Sequence, residues 1–117
     1  MNAEELKERT KKFALRILNL AEKLPSGVKG RILSDQLGRA GTSAAANYRA
    51  ACKARSRAEF IAKIGVAEEE ADEVQFWLDL ISDDKLMPAE RLAPLQQEAR
   101  ELTAIFASSR KSAARGK

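Results

Sequence analysis

The chain has 117 residues, 44% of them hydrophobic and 32% charged, with six Gly, three Pro and no His. That length fits one domain with its own core, and the wealth of Ala, Leu, Glu, Lys and Arg points to an all-α protein. The formal net charge is +4, no apolar run approaches the roughly 20 residues of a membrane span, and the lone Cys52 supports no disulfide framework.

The opening MNAEELKERTKK is charged throughout and lacks the apolar core of a signal peptide. A cytoplasmic location with no membrane partner is the expectation. The charge is unevenly spread. Residues 1–57 carry 13 Lys and Arg against 5 Asp and Glu, residues 58–84 carry 1 against 9, and residues 85–117 carry 7 against 3. Such blocks favour packing of basic against acidic segments, so a basic pI is weak support for nucleic-acid binding.

The first helix is expected to start at Asn2 as cap, with Glu4 and Glu5 suiting the positive end of its dipole. Leu6, Phe13, Ile17, Leu20 and Leu24 fall on one face, and Pro25-Ser26-Gly27 ends the run. Leu15 and Leu18 lie off that stripe and predict a second, smaller apolar contact.

The second helix is predicted from Ser26 or Val28 to about Lys53. Its stripe is Ile32, Leu33, Leu37, Ala40, Ala44, Asn47, Tyr48 and Ala51. Gly38 and Gly41 each cost about 1 kcal/mol against Ala in a helix interior. The run of small residues from Ala40 to Ala46 offsets this by letting another helix approach closely, which favours one continuous helix. The rival reading breaks it at Gly41, with Thr42 or Ser43 capping a new start.

Lys53-Ala54-Arg55-Ser56-Arg57 reads as a turn, with Ser56 and Glu59 in capping-box spacing. The third helix then repeats Phe60, Ile64, Ala67, Ala71, Val74, Leu78 and Ile81 in alternating steps of four and three, the seam of a helical bundle. Trp77 flanks that seam. Ala62, Val66, Phe76 and Leu80 lie on the opposite face, where a monomeric bundle leaves them in water. Val66, Phe76 and Leu80 are therefore the candidate subunit interface.

The stretch from Ser82 to Lys85 ends the third helix, and Pro88 suits the first turn of the fourth. Leu92, Leu95, Ala99, Leu102 and Phe106 supply its stripe. Pro94 either kinks the first turns or marks where the regular helix begins. The bundle is assigned to residues 1–107, and residues 108–117 are expected to form a disordered basic tail. Four amphipathic segments with short connections give an antiparallel up-down-up-down four-helix bundle, and nothing reads as a strand.

Candidate chemistry is sparse. Arg39, Ser43 and Asn47 rise along one edge of the second helix at spacing i, i+4, i+8, with Ala50 next. They are either a polar pocket or RNA-facing strip, or hydrogen bonding that fixes helix register, and the second reading is preferred. Arg49, Lys53, Arg55 and Arg57 are candidate nucleic-acid contacts, joined by Arg110, Lys111, Arg115 and Lys117. No RNA or DNA module is recognisable, and no exposed aromatics interleave with the bases for stacking.

The run Glu68-Glu69-Glu70-Ala71-Asp72-Glu73 resembles a metal carboxylate site only superficially. Helical di-metal bundles pair Glu with His, so Glu70 is read as bordering the seam, and Glu69 and Glu73 as pointing outward. The absence of His also removes Ser-His and Cys-His catalysis. No cofactor and no metal are expected, and a non-enzymatic homo-oligomer is the leading reading. Its alternative is an accessory protein that binds RNA or DNA.

The stretch from Gln36 to Leu78 carries a further signal in Gln36-Leu37, Arg39-Ala40, Thr42-Ser43, Ala46-Asn47-Tyr48-Arg49, Ser56, Ala58-Glu59-Phe60 and Glu70-Ala71…Trp77-Leu78. It resembles the signature of the small bacterial four-helix-bundle proteins encoded in intervening sequences of large-subunit (23S) ribosomal RNA genes. The resemblance implies an antiparallel four-helix bundle and assembly into a ring-like homo-oligomer, with five-fold barrels the known arrangement. Its genetic context implies RNA, and a related accessory protein of diversity-generating retroelements works with nucleic acid. A Glu usually follows the Asn-Tyr-Arg of this signature, whereas Ala50 stands there in this chain. An activity that needs that carboxylate is not expected here.

Overall fold

The computed structural model describes residues 1–116. Four α-helices follow one another, α1 (Ala3–Glu22), α2 (Val28–Cys52), α3 (Arg57–Asp83) and α4 (Ala89–Arg115), with no strand among the described residues. They form an antiparallel bundle 49 Å long and about 20 Å across. Consecutive helices pack along their lengths, α1 and α4 approach only sparingly, and the diagonal pairs meet only through core side chains such as Tyr48 and Phe106.

Local chemistry sets the helix starts. The Asn2 side chain accepts from the Glu5 N–H at 2.8 Å, and the Glu5 carboxylate accepts from the Asn2 N–H at 2.9 Å, a complete capping box. Ser56 caps α3 by accepting from the Glu59 N–H. The Glu59 carboxylate reaches one residue further back, to the Arg55 N–H at 2.7 Å. Each arrangement satisfies donors that a helix start leaves without partners. At α2 the cap is Gly27, whose φ of 112° favours glycine and turns the chain sharply after Pro25.

The core is the one the stripes describe. Ile64, Ala67, Ala71, Val74, Leu78 and Ile81 of α3 are fully buried, facing Phe13 and Ile17 of α1, Leu37 and Ala44 of α2, and Leu102 and Phe106 of α4. Phe60 and Trp77 are half-buried at its margin. α2 runs unbroken through Gly41, and the reason is steric. A Cβ on Gly41 would lie 2.8 Å from Ile17 Cγ2 and 3.0 Å from Ile17 Cβ. Ile17 of α1 fills the space that Gly41 leaves open, and this close packing outweighs the glycine's intrinsic cost.

Three expectations need correction. Ile32 is not part of the core stripe but 51% exposed. It sits at the edge of the apolar arc, where helical period alone does not separate core from rim. Residues 108–115 are not a disordered tail, because α4 continues to Arg115. Arg110 there is held by Glu68 of α3, with its Nε donating at 2.6 Å, and Arg57 donates to the Gly116 carbonyl. Lys117 lies outside the described residues. Glu73 points outward only in part: it is 40% exposed, yet it accepts from Arg39 and from the Trp77 indole N–H at 3.3 Å.

Pro94 lies inside α4, which starts at Ala89 with Pro88 as its cap, one residue before the first turn. Pro94 and Glu90, whose carbonyl loses its helical partner, are both exposed. Water can satisfy that carbonyl, so the helix need not end.

The thin α1–α4 seam is bridged by a forked ion pair. Arg9 donates through Nε and Nη2 to both Glu98 oxygens at 2.7 Å, and through Nη2 to Glu101 at 2.7 Å. The Glu98 hydrogen bond, ahead of the contact with Glu101, holds the Arg9 guanidinium above its ordinary range. Glu101 accepts from Gln97 and Arg9, and these bonds place its carboxyl below the ordinary value of 4.5. A group with a depressed folded pKa stabilises above its unfolded pKa and loses that contribution as pH falls through the folded value. Arg9→Met is therefore expected to lower stability by about 1–2 kcal/mol at pH 7, between exposed and buried pairs. In urea unfolding, the gap between variant and parent is expected to narrow below pH 4.5; a gap independent of pH refutes the electrostatic account.

Candidate interaction surfaces

The polar ladder on α2 faces α3 and is fully engaged. Asn47 Nδ2 donates to the Ser43 carbonyl at 2.9 Å and to Ser43 Oγ at 3.1 Å, and Ser43 Oγ donates to the Glu70 carboxylate at 3.2 Å. Arg39 donates to both Glu70 oxygens, at 3.1 and 3.2 Å, and to Glu73. Arg39, Ser43 and Asn47 thus form one network with α3 carboxylates. Such a network fixes the axial register of two helices whose small residues would otherwise slide easily. The Glu70 and Glu73 carboxylates point at an arginine, and no cluster of metal-ligating side chains occurs among the described residues.

The candidate phosphate contacts gather at one end of the bundle. Antiparallel packing places the α2–α3 turn beside the C-terminal end of α4, so Lys53, Arg55 and Arg57 stand near Lys111 and Arg115. Lys53, Arg55, Lys111 and Arg115 are exposed and form no ion pair among the described residues. Arg110 is engaged with Glu68. Arg49, in the last turn of α2, lies on another side of this end, in the groove between α1 and α2 with Glu4, Lys7, Glu8 and Lys11.

Val66, Phe76 and Leu80 are all exposed on the outer face of α3, Phe76 most of all at 54%. Phe76 meets only the edge of Trp77, at 5.0 Å between ring centroids. Sequence reasoning missed the α2 member of this surface. Ile32 lines a shallow apolar depression of about 430 Å³ with Leu33, Leu80 and the stem of Lys29. Its signal was available in Val28 and Ile32, one turn apart at the start of α2. Both are exposed.

Cys52 is half-buried beside Tyr48, whose hydroxyl is pushed above its usual range mainly by burial. No helix among the described residues is long and apolar enough to cross a membrane.

These features define a small antiparallel four-helix bundle with an apolar strip on one outer face and a basic end. The chain belongs to the 23S rRNA-intervening sequence protein family, whose profile matches residues 4–108. Among solved structures it is similar to a protein of unknown function from the S23 ribosomal protein family of Bacteroides thetaiotaomicron VPI-5482. The two are 34% identical, with a TM-score of 0.87 over 95% of this chain and 99% of that one. No curated protein matches the sequence.

Proposed function

We propose that this chain is a non-enzymatic scaffold subunit that assembles with copies of itself into a ring-like homo-oligomer. The observation that carries this reading is the apolar strip of Ile32, Val66, Phe76 and Leu80, set in water on the outside of a bundle whose core is already complete. Burying one such side chain is worth about 1.5–3 kcal/mol. Exposed apolar groups clustered on one face mark a contact surface rather than scattered exceptions. The residue inventory supports the non-enzymatic part, because there is no His and the ladder carboxylates are committed to Arg39. Family resemblance favours a pentamer, and the lone Cys52, which supports no disulfide framework, favours a cytoplasmic setting. Light scattering and native mass spectrometry test the reading: a multiple of the 12.9 kDa subunit is expected, and a single subunit at micromolar concentration overturns it.

A second reading, RNA binding by an accessory protein, is favoured by the gathering of Lys53, Arg55, Lys111 and Arg115 at one end. In a ring this end is repeated around the axis, which multiplies its potential. Phosphate contacts of this kind weaken steeply with salt. A gel shift with structured RNA at low salt is expected to show binding that disappears in a Lys53→Glu, Arg55→Glu, Lys111→Glu variant. Absence of a shift, or one indifferent to those changes, refutes it.

A further inference from the structure

Large apolar side chains stand exposed on two different sides of the bundle. Val66, Phe76 and Leu80 lie on the outside of α3, and Leu15 and Leu18 on the outside of α1. These helices are diagonal across the bundle, each packed on α2, and their backbones do not come close to each other. Both groups nevertheless lean toward α2. Leu80 shares its depression with Ile32 of α2, and Leu18 Cδ2 lies 3.5 Å from where a Cβ on Gly38 would be.

The charges around the two groups are opposite. Residues 66–84 carry eight acids and no base, whereas residues 11–19 carry three bases and no acid, with Glu8 and Glu22 the nearest acids on either side. Ion pairs within the chain leave much of this charge uncompensated. Glu69, Asp72, Asp79 and Asp83 on α3, and Lys11, Lys12 and Arg16 on α1, form no ion pair among the described residues. Docking α3 on a second α3 would bring acid against acid, and like charges meeting in an interface oppose association. Docking α3 on α1 aligns acid with base around apolar centres.

We propose that a second copy of this chain seats the outer face of its α1, centred on Leu15 and Leu18, against the outer face of α3, centred on Phe76 and Leu80. This inference rests on the self-assembly reading above and specifies its geometry. The contact is heterologous, so every subunit offers one face to each of two neighbours. Heterologous contacts make a ring where the rotation closes and a filament where it does not. Because both faces lean toward α2, successive subunits turn the same way, with α2 on the concave side and α4 outside. A bundle side 49 Å long and about 20 Å wide has room for the roughly 800 Å² that each partner buries in a standard interface.

Two single variants test this. Phe76→Lys and Leu15→Glu each place the wrong charge in one face only, at exposed positions where helix content by circular dichroism is expected to stay unchanged. Alone, each is expected to weigh one subunit. Mixed in equal amounts, they are expected to give a species of two subunits containing one of each, because the undamaged α3 face of one variant meets the undamaged α1 face of the other. If Leu15→Glu assembles like the parent, or if the mixture stays at one subunit, the proposed docking is wrong although self-assembly stands. If the parent itself weighs one subunit, the self-assembly reading fails first and takes this one with it.

Discussion

Replacing Phe106 with alanine is expected to lower folding stability by about 3–5 kcal/mol, the range for emptying a fully buried aromatic site. Phe106 is fully buried near the C-terminal end of α4. Its ring stacks on Tyr48 of α2 with centroids 5.6 Å apart and planes at 22°. That pair adds about 0.5–1.5 kcal/mol beyond the area it buries. The substitution therefore leaves a cavity and strands the Tyr48 ring, and the leucine- and alanine-rich core around it can refill such a space only in part. For a domain whose total stability is about 5–15 kcal/mol, this is a large fraction. Urea unfolding followed by circular dichroism is expected to show a lower midpoint with an unchanged slope. A loss below about 1 kcal/mol would mean that the last turns of α4 are not packed as described.

Gly30→Ala is the second large effect, and it has an informative control. A Cβ at Gly30 would fall 1.6 Å from the Pro25 carbonyl oxygen. The obstacle is backbone in a tight turn, not the end of a flexible side chain, so the α1–α2 connection must be rebuilt. Overpacking typically costs about 1–3 kcal/mol and occasionally more; here the upper end or beyond is expected, even after the roughly 1 kcal/mol that alanine gains over glycine inside a helix. Gly65→Ala is chemically the same change on α3, yet its nearest neighbour is Arg110 Cδ at an ordinary 3.8 Å. It is expected to raise stability by up to about 1 kcal/mol. Equal effects from the two substitutions in thermal unfolding would contradict the described turn.

Much of the architecture is legible in the order of residues. The α3 seam from Ile64 to Ile81 is buried throughout because a period of 3.6 is a local property, fixed by spacing before any partner is present. The caps at Asn2 and Ser56 are legible for the same reason, since side chain and target lie within three residues. The polar ladder was visible as spacing, but its partners Glu70 and Glu73 were not, because they belong to another helix. Nothing local marks the Arg9–Glu98 fork either, which joins residues 89 apart.

By itself, then, the sequence determined four helices, their inward stripes and the two starts capped by side chains, all set by interactions within a few residues. The tertiary structure alone decided that Ile32 faces water beside Leu80, that Glu73 turns to Arg39, and that Arg110 and Arg57 carry α4 on to Arg115. It also set Ile17 against Gly41. Each of these depends on how close one helix comes to another and at what rotation, and that is settled by packing the whole core at once.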